Sequence, residues 1–422
     1  MRVDQYSYSS TDEELGDWLG LHYQFESFTP GKERLERLLV PIINEIKKLN
    51  IPTTIIGGTN GKGEVSLLLE EIALQNNIYP LLWTSPHILT VRERFCFNGK
   101  MIEADVLMDL FITHEGLTSE LSYYEFLFYC FCKHSLELLS TSSHGPFVLI
   151  LEVGLGGRLD TTNLFDSDVA CLTNIGRDHI DILGNTLSAI LSEKIEISRP
   201  HKDLVIGVNQ KFLIREVKDY CHKNEVILHE PIGDQTDDDL DFKFMNLSLA
   251  KSVWSLLIEK KSESPTGFDS LCFVKLWGRP LVVTDNVHKF TLLGTHNLDG
   301  LRSIPQFILN SKMTAGDEIW VALTRTQDSE ISTFLTLLST LKCLGKKVMI
   351  TSFDHPRATD LAKIEKCAGE LLKMNHVEVD AEWEDRIKNK KIHKDTIVIG
   401  SYFFIGAVFR SLLLNGYSLA KD

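Results

Sequence analysis

Short runs of aliphatic and β-branched residues alternate with longer amphipathic stretches over the first two-thirds of the chain. That is the pattern of a parallel sheet covered by helices. Thr53-Thr54-Ile55-Ile56 reads as a strand, and residues 63–75 as the helix after it. Phe147 to Val153 (FVLILEV) is almost continuously apolar, as expected of a central parallel strand buried on both faces. Asp168 to Thr173 and Asp203 to Val208 predict two more strands. A polar stretch, Glu259 to Ser270, contains Pro265-Thr266-Gly267 and reads as a linker. Beyond it the alternation restarts at Ile319 to Leu323, Val348 to Ile350 and Thr396 to Ile399. Two α/β domains are therefore expected, 1–274 and a smaller 275–422. Two apolar stretches resemble membrane spans in length. Tyr123 to Leu139 is interrupted by Glu125, Lys133, His134 and Glu137, and Thr396 to Leu414 by Gly400-Ser401 and Arg410. The second reads as a buried strand turning into a core helix, so no span is expected.

Composition narrows the function. The chain has 422 residues, with 44 basic against 58 acidic side chains and a net charge of −14. A dominant nucleic-acid partner is excluded by that balance, because phosphate binding needs a net basic face. The acidic run Asp234 to Asp241 reads as a solvated loop; it lacks the central Gly and terminal Glu of a calcium loop. The eight cysteines are scattered without a C-x-x-C pair, which fits a reducing cytoplasm and thiols used as small hydrophobes. No apolar secretory segment opens the chain.

The candidate chemistry begins after the first strand. Gly57-Gly58-Thr59-Asn60-Gly61-Lys62-Gly63 would turn successive backbone N–H groups and a helix N-terminus toward a polyphosphate, with Lys62 as the point charge. It matches G-x-x-x-x-G-K-[ST] incompletely: Ile56 replaces the first Gly, and Gly63-Glu64 replaces the hydroxyl residue. Glu152 ends an apolar strand, where a carboxylate is costly unless paired or metal-bound.

Four segments in order resemble signatures of the folylpolyglutamate synthase/dihydrofolate synthase family, a branch of the Mur ligases. They are GGTNGKG, TSPHILTVRERFCFNGK (Thr84 to Lys100), LEVGLGGRLDTTN (Leu151 to Asn163) and TNIGRDHIDILGNTLSAILSEK (Thr173 to Lys194). WGRP (Trp277 to Pro280) followed by LLGTHN (Leu292 to Asn297) resembles the second-domain entrance of that family. The resemblance implies a Mur-ligase-like P-loop domain that binds ATP and folate, and a smaller Rossmann-like α/β domain for glutamate ligation. It implies ATP-driven amide synthesis through an acyl phosphate, joining L-glutamate to dihydropteroate or a reduced folate. ATP and Mg2+, two ions, are the implied cofactors, K+ a further candidate; a cytoplasmic monomer is expected. Position by position, Ser85, Glu152 and His179 match the metal ligands. Lys62, Lys194 and His179 match catalytic positions, Lys194 being the lysine carbamylated in the family. Gly58, Thr59, Asn60, Gly61, Lys62, Gly63, Glu64, Asn246, Arg279 and His296 match nucleotide contacts. Ser122, Tyr123, Tyr124 and Glu125, with Leu159, Asp160 and Thr161, match pterin contacts.

Several positions depart from the family. Glu64 puts an anion in the phosphate loop, and Leu293 stands where the D-x-A-H-N signature has its acid. Thr324-Arg325-Thr326-Gln327-Asp328 replaces an expected Asp-Lys-Asp. Two alternatives therefore stay open: a Mur-type nucleotide-binding protein without ligase activity, and a ligase for another carboxylate.

Overall fold

The computed structural model describes residues 8–23, 32–141, 145–231, 242–258, 281–294, 318–322, 324, 347–355, 358–366 and 377–420. The chain divides into two compact units, Met1–Trp277 and Gly278–Asp422. The candidate linker, the acidic run Asp234 to Asp241, Arg279 and His296 lie outside the described residues.

In the first unit, helices α1 (Ser10–His22) and α2 (Lys32–Lys48) precede strand β1 (Thr53–Gly57), which feeds helix α3 (Lys62–Gln75). Strands β2 (Tyr79–Trp83), β3 (Phe95–Phe97) and β4 (Lys100–Met101) follow, then helices α4 (Ala104–Thr113) and α5 (Tyr123–Thr141). After β5 (Phe147–Glu152) and β6 (Val169–Leu172) come the short helices α6 (Ile180–Leu183) and α7 (Leu187–Lys194). Strand β7 (Asp203–Ile206), helix α8 (Lys211–Lys223), strand β8 (Ile227–His229) and helix α9 (Phe242–Leu257) complete the unit.

The described strands form one sheet in the order β4-β3-β2-β5-β1-β6-β7-β8. Six of them, β2, β5, β1, β6, β7 and β8, run parallel. The expected parallel sheet forms, and an antiparallel hairpin, β3 and β4, is added to it at one edge. The reason is local: Asn98 and Gly99 both take positive φ (51° and 75°), the turn that closes a two-residue hairpin. The central strands are buried on both sides, so their alternate residues enter two helical layers. Ile55, Leu81, Trp83, Leu149 and Leu151 face a core shared with α2 and α5 residues such as Leu39, Phe126 and Phe131. Helix α3 packs on β1, β2 and β5 and against α9. Each fully buried aliphatic side chain here contributes about 1.5–3 kcal/mol.

The second unit's described strands are β9 (Leu281–Thr284), β10 (Lys289–Gly294), β11 (Glu318–Ala322), β12 (Val348–Ile350), β13 (Val377–Val379), β14 (Asp395–Gly400) and β15 (Ser418–Leu419). Their order is β13-β12-β11-β14-β10-β9-β15. Strands β13 to β10 run parallel, whereas β9 and β15 are antiparallel additions. Helices α10 (Trp383–Lys388) and α11 (Tyr402–Leu414) belong to this unit. Strand β14 followed by α11 is the strand-to-core-helix reading of Thr396 to Leu414. No described helix is long and apolar enough to cross a membrane.

Candidate active site

The site grows from the carboxyl ends of β1, β5 and β6. All five residues of β1 are buried, so the chain leaves the sheet at Gly57 with little room to turn. Gly58 turns it with φ 130°, and a Cβ there would overlap the Thr173 hydroxyl. Gly61, at φ 86°, is the N-cap of α3, where a Cβ would press on the Asn246 amide at 2.8 Å. The segment after β6 backs the loop. Thr59 N donates to Asn174 O (3.0 Å), Asn60 N to Asn174 Oδ1 (2.9 Å), and Thr173 Oγ1 to Asn60 O (2.6 Å). Gly176 N donates to Thr59 Oγ1 at 2.9 Å. Helix α3 therefore begins on a rigid turn with no side-chain cap, the arrangement that receives anions.

Two lysines converge beneath this turn. Lys62 Nζ donates to the carbonyls of Gly58 (3.2 Å) and Thr59 (3.1 Å). Lys194 Nζ donates to the same Gly58 carbonyl at 2.9 Å. Lys194 is 4% exposed. Burial first, and the neighbouring Lys62 charge second, pull its amine down to about 7, so a large fraction is neutral near neutral pH. Glu152, at the end of β5, is 2% exposed. Its Oε2 accepts from the Thr84 hydroxyl and from Ser85 N (2.9 Å). Burial pushes this carboxyl above its ordinary range, with Lys62 opposing. Gly63, in the first turn of α3, lies against it: a Cβ there would stand 3.5 Å from both carboxylate oxygens.

The structure thus brings together Gly58 to Gly63, Ser85, Glu152, Lys194 and Asn246. His179 is the α6 N-cap, with φ 48°, half exposed and 3.7 Å from Asp178. Glu64 is half-buried in the first turn of α3. Among the described residues no group of three or more His, Cys, Asp or Glu gathers as a metal cage. Magnesium does not need one: it keeps water and phosphate oxygens and takes one or two protein ligands. A buried carboxylate beside a serine fits that donor chemistry.

The pterin-contact candidates lie around α5 and the loop after β5. Tyr124 accepts a hydrogen bond from Trp83 Nε1 at 3.0 Å, and its ring occupies the space a Cβ on Gly154 would need. The Arg94 guanidinium lies 5.5 Å from the centre of the Tyr123 ring. Glu125 is paired with Arg34 (2.7 Å) and accepts from Ser122 N (2.8 Å), so its carboxylate caps α5 and ties it to α2. Asp160 accepts from Gly154 N, Leu155 N, Thr162 N and Thr162 Oγ1, at 2.7 to 3.1 Å. It builds the loop. Leu159 is 38% exposed, while the buried Thr161 hydroxyl has no hydrogen-bond partner.

Sequence reasoning did not single out Thr84, Thr173, Asn174 or Arg94. Thr84, and Thr173 with Asn174, open two of the family segments just past strand ends, which was the available signal. In the second unit, Leu293 is buried at 7% exposure in β10, paired with Ile399.

The Mur ligase middle domain matches residues 133–254. The dihydrofolate synthase/folylpolyglutamate synthase of Haemophilus influenzae is 37% identical over 215 residues, 49% of this chain and 47% of that protein. Its Bacillus subtilis counterpart is 24% identical over 421 residues, covering 91% and 95%. The matches to the first curated relatives span between 35% and 47% of those proteins' length. The bifunctional folylpolyglutamate synthase/dihydrofolate synthase of Yersinia pestis, solved with AMPPNP and a Mn ion, superposes with a TM-score of 0.74 at 22% identity. That superposition covers 94% of this chain and 98% of the other. At this identity it shows the shared fold.

Proposed function

We propose that the chain is a member of the folylpolyglutamate synthase/dihydrofolate synthase branch of the Mur ligases, which its similarities support, and that it joins L-glutamate to dihydropteroate or a reduced folate at the expense of ATP. The observation that carries the reading is the pair of buried ionisable groups, the Glu152 carboxyl and the Lys194 amine, around the uncapped N-terminus of α3. Burying both is costly, and a site for a polyphosphate and its cation accounts for that cost.

In this reading the folate carboxylate attacks the terminal phosphorus of ATP and ADP leaves. The glutamate amine then attacks the acyl carbon and phosphate leaves. Backbone N–H groups of the loop and the Lys62 ammonium hold the terminal phosphate as its oxygens gain charge. Lys62 would leave the Gly58 and Thr59 carbonyls to do so. Glu152 and Ser85, with His179 turned in from α6, would hold a divalent ion. Mg2+ is the expected ion, and it would neutralise phosphoryl oxygens and polarise them. A second Mg2+, K+ and a carbamate on Lys194 are finer parts of the same proposal. A carbamate forms on a neutral amine, which the depressed Lys194 supplies. The wider proposal gives residues 1–274 to ATP and folate and 275–422 to glutamate ligation, in a cytoplasmic monomer, with Arg279 and His296 on the nucleotide.

Phosphate release in the presence of ATP, Mg2+, glutamate and several folates tests it. Release that requires both organic substrates supports the ligase. Nucleotide binding without release under any folate favours a non-ligating protein, the reading that Glu64 and the buried Leu293 support.

A further inference from the structure

We propose that Arg199 is a positioning residue of this site: its guanidinium fixes the Glu193-to-Ser198 segment against the loop after β5, and so sets where Lys194 stands beneath the phosphate loop. Arg199 follows the fourth family segment, which ends at Lys194, and touches none of the candidate ligands. One of its terminal nitrogens, Nη2, donates to the carbonyls of Asn163 (2.6 Å) and Phe165 (2.9 Å). The other, Nη1, donates to those of Glu196 (3.2 Å), Ile197 (3.3 Å) and Ser198 (3.1 Å). One flat cation thus holds two stretches of backbone, using the fork that distinguishes arginine from lysine.

Both stretches belong to the site. The first continues from Asp160 and Thr161, and the second begins at Lys194. A seam of contacts joins them upstream of Arg199. Arg158 N donates to Glu193 O at 2.9 Å, and Asn163 Nδ2 donates to the carbonyls of Arg158 and Glu196 at 3.2 Å each. Gly157 lies flat on Lys194, with room for no Cβ: one would stand 2.8 Å from Lys194 O and 3.0 Å from its Cα. The segment also supports the phosphate loop, since Ile197 Cδ1 would stand 2.8 Å from a Cβ on Gly57. A shift of this segment therefore moves the Lys194 amine relative to Gly58, the carbonyl it shares with Lys62. Asp166, the exposed residue after Phe165, meets Arg199 Nε at 3.3 Å and Lys47 Nζ at 2.8 Å through its side chain alone.

The catalytic part of this inference rests on the ligase reading, and the experiment separates the two. Arg199→Lys keeps the charge and loses the fork; Asp166→Ala removes the exposed ion pairs to Arg199 and Lys47 and keeps the fork. For each, kcat, KM for ATP and thermal midpoint are measured. The rate of Lys194 acetylation by trace acetic anhydride is also followed by mass spectrometry, with the surface Lys202 as internal reference. In Arg199→Lys the expected result is a kcat about ten- to hundredfold lower, as sub-ångström to ångström misplacement commonly gives, with KM for ATP within about threefold. Lys194 acetylation should rise severalfold over Lys202, and Asp166→Ala should match the wild type. A purely structural arginine would lower the thermal midpoint and leave both kcat per folded molecule and Lys194 labelling unchanged. Unchanged labelling in Arg199→Lys overturns the proposal, as does unchanged kcat in an active enzyme. If the wild type ligates no glutamate, the functional reading fails and labelling alone decides the role of Arg199.

Discussion

Two strand-end regions of the molecule share a geometry and differ in chemistry. In the first unit, Gly58 follows β1 where a Cβ would overlap the Thr173 hydroxyl; in the second, Gly400 ends β14 where a Cβ would overlap the Ala322 carbonyl. A helix begins just beyond each. Helix α3 has Gly61 as N-cap and no side-chain cap, whereas α11 is capped by Ser401, whose hydroxyl accepts from Phe404 N at 3.3 Å. Around α3 stand Lys62, Lys194 and Glu152. Around the described end of the second sheet stand Leu293, the Tyr402 ring against Gly294, and the fully buried Phe404. One end leaves its helix N-terminus open and buries charge beside it; the other satisfies its helix and buries carbon. Strand-end geometry is thus a property of the fold, and the chemistry is added to it at a cost in stability. Substitutions at the first end should lose activity and keep or gain stability. At the second they should do the reverse.

The largest effect is expected at Glu152. Glu152→Gln keeps the shape and one acceptor for Thr84 and Ser85 while removing the buried charge. Turnover should fall by more than about 10³-fold, because a neutral amide is a poor ligand for a hard cation. The thermal midpoint should hold or rise: burial raises this carboxyl in the folded protein, so its ionised form at neutral pH opposes folding. A variant that loses stability and keeps its rate would make Glu152 a structural residue. Lys62→Ala should come next, with a rate lower by about 10²–10³-fold, the usual loss for a removed electrostatic donor. Steady-state kinetics in ATP and glutamate check it. A defect confined to the KM for glutamate would remove Lys62 from the phosphate.

The unequal legibility of the two ends follows from how each is encoded. FVLILE and TTIIG were readable because a strand buried on both faces must be apolar throughout. The glycine-rich loop after β1 was readable because its turn needs glycines at fixed offsets. Strand β2, YPLLW, carries a proline and was passed over, although it lies beside β5 in the sheet. The β3–β4 hairpin was passed over too, although Asn98-Gly99 announces it. Glu125 and Asp160 were candidates for substrate contact in the sequence, which did not show that they cap α5 and build the loop after β5. Glu125 meets Arg34 across 91 residues of chain, and no local pattern encodes such a pairing. Arg199 was invisible for a further reason: its five acceptors are carbonyls, and every residue carries one.

At the second end, Leu293→Asp tests whether the missing acid of the signature can be restored. Leu293 is buried between Thr291 and Gly294 in β10 and pairs with Ile399. An aspartate there exchanges buried carbon for a charge in an apolar setting. A loss of about 2–3 kcal/mol is expected in urea unfolding of the intact chain. Tighter ATP binding without that loss would show that the position faces nucleotide, and would dissolve the contrast between the two ends.

The smallest effect is a dependence on pH, and it bears most directly on the charge stored at the first end. Lys194 is pulled from 10.5 to about 7 in the folded protein. Below pH 7 both folded and unfolded chains hold its proton, and the full cost of burying the ammonium opposes folding. Between about 7 and 10.5 the unfolded chain holds a proton that the folded chain has released. Stability from this group therefore rises with pH across that window. Lys194→Met removes the titration and keeps a chain of similar length, and Lys62 still donates to the Gly58 carbonyl. Urea unfolding of both proteins at pH 6 and pH 9, in CO2-free buffer, isolates the group, because every other titration is common to the two. Methionine should be favoured at pH 6, and wild type should recover about 2–3 kcal/mol relative to it by pH 9. A difference that does not move with pH would mean that Lys194 stays charged in the folded chain, and that the first end stores no cost at this lysine.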